Sequence, residues 1–121
     1  MNELTASTSP GDILIVDDAP ENLRLLSAIL KTQGYQVRQS INGQLALRAA
    51  QLNPPDLILL DISMPQMDGY EVCKHLKSSE KTRHIPVIFI SALDREVNKV
   101  KAFELGGVDY INKPFHLKEV L

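Results

Sequence analysis

Five short apolar segments recur along the chain, each separated from the next by a stretch long enough for a helix: Ile13 to Val16 (ILIV), Tyr35 to Arg38 (YQVR), Leu57 to Leu60 (LILL), Val87 to Ile90 (VIFI) and Val108 to Ile111 (VDYI). None of the gaps is as short as a hairpin turn, so the segments are predicted to be parallel strands joined by crossover helices. ILIV, LILL and VIFI contain no polar residue, the mark of strands covered on both faces, whereas YQVR and VDYI alternate apolar with polar as edge strands do. With the second and fifth strands at the edges and right-handed crossovers, the expected architecture is a doubly wound α/β fold, (βα)5, with five parallel strands in the order 2-1-3-4-5.

The connecting segments carry helix signals. Pro20 suits a first helical position, Leu23, Leu26, Ile29 and Leu30 follow at three- and four-residue spacing, and Gly34 closes the segment. Asp68 with Glu71 three residues on forms a capping-box start for a helix that buries Val72, Cys73 and Leu76. Leu93, Val97, Val100 and Phe103 mark another helix before Gly106 and Gly107, and a last one is expected from His116, cut short at Leu121 as in one module of a longer protein. Residues 1 to 10 are small, polar and aperiodic, and are expected to be a disordered leader to a single domain spanning 11 to 121.

Composition excludes several classes of function. Thirteen Lys and Arg against fifteen Asp and Glu give a net charge of −2, with no basic excess to meet a phosphate backbone, so no direct nucleic-acid partner is expected. No apolar run approaches the roughly 20 residues that cross a bilayer, and the N-terminus lacks a signal-peptide plan, so the chain reads as a cytoplasmic protein with no membrane partner. The single cysteine, Cys73, rules out an internal disulfide and reads as a small buried thiol. His75, His84 and His116 lack metal-ligand spacing and read as solvated or capping residues.

In open parallel sheets ligands bind at the carboxyl ends of the strands, beside the point where strand order reverses. The first strand runs into Asp17 and Asp18, the third into Asp61, the fourth into Ser91, and the fifth leads to Lys113. Singly, each has an ordinary explanation as a cap or turn residue; together they place three carboxylates, a hydroxyl and an ammonium on one rim. Two like charges about 4 Å apart repel by roughly 4 kcal/mol at an effective dielectric of 20, so three ionised carboxylates require neutralisation. A hard divalent cation that keeps much of its water, Mg²⁺, meets that need, and with Lys113 brings the site to zero charge. Asp61, flanked by the other acids on one side and by Ser91 and Lys113 on the other, is then placed as a nucleophile toward a phosphoryl group. Gaining a phosphoryl group there adds roughly one negative charge, which Ser91 and Lys113 can answer by moving inward.

ILIVDD, LILLDISMPQMDGYE, VIFISA and GGVDYINKPF, in this order and spacing, resemble the receiver domain of two-component response regulators, which has a flavodoxin-like, CheY-like fold. The resemblance spans about Asp12 to Leu121 and implies a phosphoprotein in which Asp61 accepts a phosphoryl group from the phosphohistidine of a sensor histidine kinase or phosphotransfer protein. It further implies that Asp18 and Asp61 bind Mg²⁺ directly, Asp17 through water and Ser63 through its backbone carbonyl. Ser91 and Lys113 would hold phosphoryl oxygens, Tyr110 would turn inward on activation, and the Lys113–Pro114 bond would be cis. Leu93, two residues beyond Ser91, cannot hydrogen-bond an attacking water, which implies slowed loss of the phosphoryl group. A linked output or kinase domain and homodimerisation through the fourth helix and fifth strand belong to the same family expectation.

Two other readings use the same residues. A Mg²⁺-dependent aspartyl-phosphate phosphohydrolase needs a second acid close to the nucleophile, and the dehalogenase-type pattern would put an Asp where this chain has Ser63. A pseudo-receiver that only docks would not need the full set of acids together with Ser91 and Lys113. A flavin or nucleotide binder is disfavoured because the loop after the first strand, VDDAPEN, is acidic where phosphate must be cradled. The expected role is therefore a switch, with no catalysis beyond self-phosphorylation and self-dephosphorylation on Asp61.

Overall fold

The computed structural model describes residues 11–92 and, within the remainder, the backbone of 109–113. β1 (Asp12–Val16), α1 (Pro20–Thr32), β2 (Gln36–Ser40), α2 (Gly43–Leu52), β3 (Leu57–Asp61), α3 (Gly69–Lys77), β4 (Val87–Ala92) and β5 (Asp109–Lys113) follow in chain order. The sheet is parallel throughout, in the order β2-β1-β3-β4-β5. The helices expected over Leu93–Phe103 and from His116, Leu93 itself, and the Lys113–Pro114 bond lie outside the described residues.

The sheet divides the core in two. Along β1 and β3, Leu14, Val16, Ile58 and Leu60 face α2 and α3, packing with Ala46, Ala50, Val72, Cys73, Leu76 and Phe89, while Ile13, Ile15 and Leu59 face α1 and its Leu23, Leu26 and Leu30. This is the alternation of side chains on a strand whose two faces are both covered, and it explains why these segments read as unbroken apolar runs.

Local chemistry sets the helix boundaries. α1 has Pro20 at its first position, and its chain turns out through Gly34 at φ 89°, a left-handed conformation that glycine adopts without strain. Ile29 is only half-buried on this helix; its place in the expected stripe is taken by Ser27, which is buried and accepts a hydrogen bond from Gln39 Nε2 at 2.6 Å. A polar residue in a helix stripe leaves no trace in an apolar count. α2 is capped by Asn42, whose side chain accepts from Leu45 N at 2.8 Å. α3 begins with the capping box read from the sequence, Asp68 accepting from Glu71 N at 2.9 Å and Glu71 from Asp68 N at 3.2 Å.

The edge strands lie one or two residues further along than their apolar cores suggest, because pairing with a neighbour, not composition, sets their ends. Register places Asp12 to Val16 opposite Gln36 to Ser40, and Ile88 to Ala92 opposite Asp109 to Lys113. At the opposite end of the sheet from the acids, Arg38 Nη2 meets Asp12 Oδ2 at 2.8 Å and the carbonyl of Asn53 at 2.7 Å.

His75 and His84 are exposed, and Cys73 is fully buried. Burial pushes the Cys73 thiol above its ordinary value of 9.0, partly opposed by the nearby Lys77. The protonated thiol is thus favoured in the folded state. Its contribution to stability is complete below the unfolded thiol's pKa and is lost as pH rises through the folded one. We expect Cys73 to resist a thiol reagent in the native protein at pH 7 and to react fully in guanidinium, and stability to fall as pH is raised past 9.0. Rapid native labelling would contradict the burial.

Candidate functional site

β1 and β3 are hydrogen-bonded neighbours in the sheet, with Val16 opposite Leu60, so the residues that follow each must emerge side by side. Asp61 is the last residue of β3, and Asp17 and Asp18 follow β1 directly. Each of the three acids offers a carboxylate oxygen, and these oxygens lie within 4.8 Å of one another. Asp17 and Asp61 are buried, at 0% and 2% exposure, while Asp18 is open to solvent.

The chain holds Asp17 from several directions. Its backbone N–H donates to the carbonyl of Ser40 at 3.1 Å, tying the end of β1 to the end of β2. Its Oδ1 accepts from Ala19 N at 2.9 Å, an Asx turn that leads the chain into α1, and its Oδ2 accepts from Asn22 Nδ2 at 3.3 Å. Ala19, the N-cap of α1, makes no side-chain cap of its own, so Asp17 supplies the acceptor for this helix entry from two residues upstream. The positive end of the helix therefore faces the acidic cluster.

Asp61 is fixed from below and behind. Ile62 N donates to Ile90 O at 3.0 Å, and Gly69 N donates to Ile62 O at 2.8 Å, folding the loop back over the end of β3. A Cβ placed on Gly69 would sit 2.3 Å from the Asp61 carbonyl oxygen and 2.8 Å from Ile62 Cα, so only glycine fits here. Within the same loop Gln66 takes φ 70°, a left-handed conformation. Ser63, half-buried, lines an open pocket of about 420 Å³ with Ile62, Met64, Pro65, Asp68 and Tyr70. The Tyr70 ring leans on Phe89 of β4, with centroids 5.3 Å apart.

The backbone of Ser91 pairs with Asn112 and that of Ala92 with Lys113, so Ser91 and Lys113 both belong to the strand ends beyond Asp61 in the sheet order; Tyr110 pairs with Phe89 further down β5. Their side chains lie outside the described residues. Among the described residues, then, Asp17, Asp18 and Asp61 are brought together side chain to side chain, and Ser91 and Lys113 to the same end of the sheet by register.

Gly69 and Asn22 are the site residues that the sequence reading passed over. Gly69 follows Asp68, the residue that marks the helix start, and nothing in sequence shows that a backbone passes against it. Asn22 lies in the first turn of α1, where a polar side chain reaches back toward the preceding loop; an amide five residues after an acid was the available signal.

The donor set limits the class of cation that the cluster suits. It consists of three hard carboxylate oxygens, and neither Cys73, His75 nor His84 joins it. That composition fits Mg²⁺ and does not fit a soft-ligand metal.

The family profile of the response regulator receiver domain matches residues 13–121. The response regulator PleD of Caulobacter vibrioides is 46% identical over 102 residues, covering 84% of this chain and 22% of its own length. The DNA-binding dual master transcriptional regulator RpaA of Synechocystis is 40% identical over 109 residues, 90% of this chain and 45% of its own. The chain thus spans less than half the length of either. Among solved structures, the N-terminal domain of a response regulator receiver protein from Methanoculleus marisnigri superposes with a TM-score of 0.80 at 34% identity, covering 93% of this chain and 91% of that one. With its parallel CheY-like sheet, its acidic rim and this match along nearly its whole length, the chain belongs to the response regulator receiver domain family.

Proposed function

We propose that this domain is the phosphoacceptor of a two-component phosphorelay, taking a phosphoryl group onto Asp61 from the phosphohistidine of a sensor histidine kinase or phosphotransfer protein and changing conformation in response. The observation that carries the reading is the meeting of the Asp17, Asp18 and Asp61 carboxylates within 4.8 Å, two of them buried. Such a cluster costs stability unless a bound cation or a proton offsets its charge.

In the transfer, an Asp61 Oδ attacks phosphorus, the P–N bond to the donor imidazole breaks, and the imidazole leaves as the neutral ring after taking up a proton. Asp18 and Asp61, with the Ser63 carbonyl, would hold Mg²⁺ directly and Asp17 through water. Bound there, the ion offsets the negative charge of the acids and of the incoming phosphoryl oxygens. Asp17 is anchored to β2 and α1 and so keeps its place while charge develops at Asp61. Ser91 and Lys113 bind the phosphoryl oxygens from the adjoining strand ends, and Tyr110 turns inward as the loops after β4 and β5 close. The proposal includes the complete (βα)5 fold, action in the cytoplasm without turnover of an external substrate, and a place as one module of a longer regulator.

The test is incubation with MgCl₂ and acetyl phosphate, followed by intact-mass measurement, and with beryllofluoride, followed by NMR. One phosphoryl group per chain, lost on chelating the metal and absent in Asp61→Ala, is expected. Unchanged labelling in Asp61→Ala would remove the nucleophile, and steady hydrolysis of a phosphate ester would indicate a phosphohydrolase instead.

A further inference from the structure

We propose that Asn22 is a positioning residue that sets the cation preference of the acidic rim, favouring a small ion that keeps its water over one gripped by both oxygens of a carboxylate. This rests on the reading above, in which the three acids hold a divalent cation.

The geometry begins with the first turn of α1, where Asn22 N donates to the carbonyl of Ala19 at 3.1 Å and fixes the residue's place in the helix. From there its side chain reaches Asp17 Oδ2 at 3.3 Å. A carboxylate only accepts, so the –NH₂ end of the amide is the end that faces it. The other oxygen, Oδ1, accepts from Ala19 N at 2.9 Å. Both oxygens of a fully buried carboxylate thus carry a donor from the same helix start.

A cation can still take up a remaining lone pair on one oxygen, directly or through a water. Gripping both oxygens at once would make the cation share each of them with a donor that already draws on its charge. Ca²⁺ reaches its six to eight oxygen ligands partly by such two-oxygen contacts, whereas Mg²⁺ holds fewer protein ligands and retains water. Locking Asp17 therefore penalises the larger ion. The residue type suits the task, since Asp at this position would add a fourth negative charge and Lys would cancel one already needed. Asn22 donates a hydrogen bond and leaves the charge of the rim unchanged.

The experiment is calorimetric titration of the whole chain with MgCl₂ and with CaCl₂ at fixed ionic strength, for wild type, Asn22→Leu and Asn22→Ala, with Asn22→Gln as the amide-retaining variant. Thermal unfolding in EDTA confirms that each variant is folded, and the alanine variant stands in should leucine disturb the helix start. Loss of one such hydrogen bond is expected to lower the ratio of Mg²⁺ to Ca²⁺ affinity about fivefold in the Leu and Ala variants, with Gln recovering part of it. A global loss of structure would weaken both ions alike and leave the ratio in place. Mg²⁺ binding by wild type with a ratio unmoved in folded Leu and Ala variants overturns this inference alone. Wild-type protein that binds no Mg²⁺, or binds it equally well as Asp61→Asn, overturns the phosphoacceptor reading and this inference with it.

Discussion

Asp61→Asn is expected to raise the melting temperature of the metal-free protein while abolishing its labelling by acetyl phosphate. Like charges 4.8 Å apart repel by about 3.5 kcal/mol at an effective dielectric of 20, and Asp61 takes part in two such pairs. The realised gain is smaller, because Asp18 is solvated. We expect a net gain of about 1 to 3 kcal/mol at neutral pH in EDTA, or roughly 4 to 12 °C for a domain of this size. Adding MgCl₂ should stabilise wild type by about 2.7 kcal/mol at a hundredfold excess over the dissociation constant and the variant far less, so the two curves converge or cross. Circular dichroism melts with and without magnesium make the comparison. A variant no more stable than wild type in EDTA would show that the acids do not strain the metal-free fold.

Gly69→Ala is expected to be among the most damaging single-methyl additions in the chain. The added carbon would fall 2.3 Å from the Asp61 carbonyl oxygen, and that neighbour is backbone, which cannot swing aside as a side-chain tip can. Relief requires α3 to retreat from the end of β3, breaking the 2.8 Å bond from Gly69 N to Ile62 O and moving the peptide that carries Asp61. The cost is about 3 kcal/mol or more, a large share of a typical domain's 5–15 kcal/mol. Urea unfolding gives the stability loss, and acetyl phosphate labelling of the folded fraction should slow as well, since the nucleophile shifts with its backbone. An alanine variant within about 1 kcal/mol of wild type would mean that the loop yields easily.

How much of this was legible in the sequence depended on the range of the interaction involved. The strand cores, the Pro20 and Asp68 helix starts and the burial of Cys73 follow from patterns within a few residues, and the sequence shows them directly. The meeting of Asp17 and Asp18 with Asp61 was also readable, because one topological rule carries strand ends to a common rim. Ser27 behind β2, the reach of Asn22 back to Asp17 and the backbone wedged against Gly69 were not, since each depends on how closely two elements approach, a distance that no local pattern encodes. The ends of β2 and β5 escaped for the same reason, being set by register with β1 and β4.

The division of the core by the sheet has an evolutionary consequence. Alternate residues of the same two central strands answer to different helices, so a volume change beneath α1 can be absorbed by Leu23, Leu26 and Leu30 without repacking the residues around Phe89 on the far side. The lineage can therefore remodel one flank of the molecule to suit a new associate while the opposite flank, and the strand end that carries the nucleophile, stay as they were.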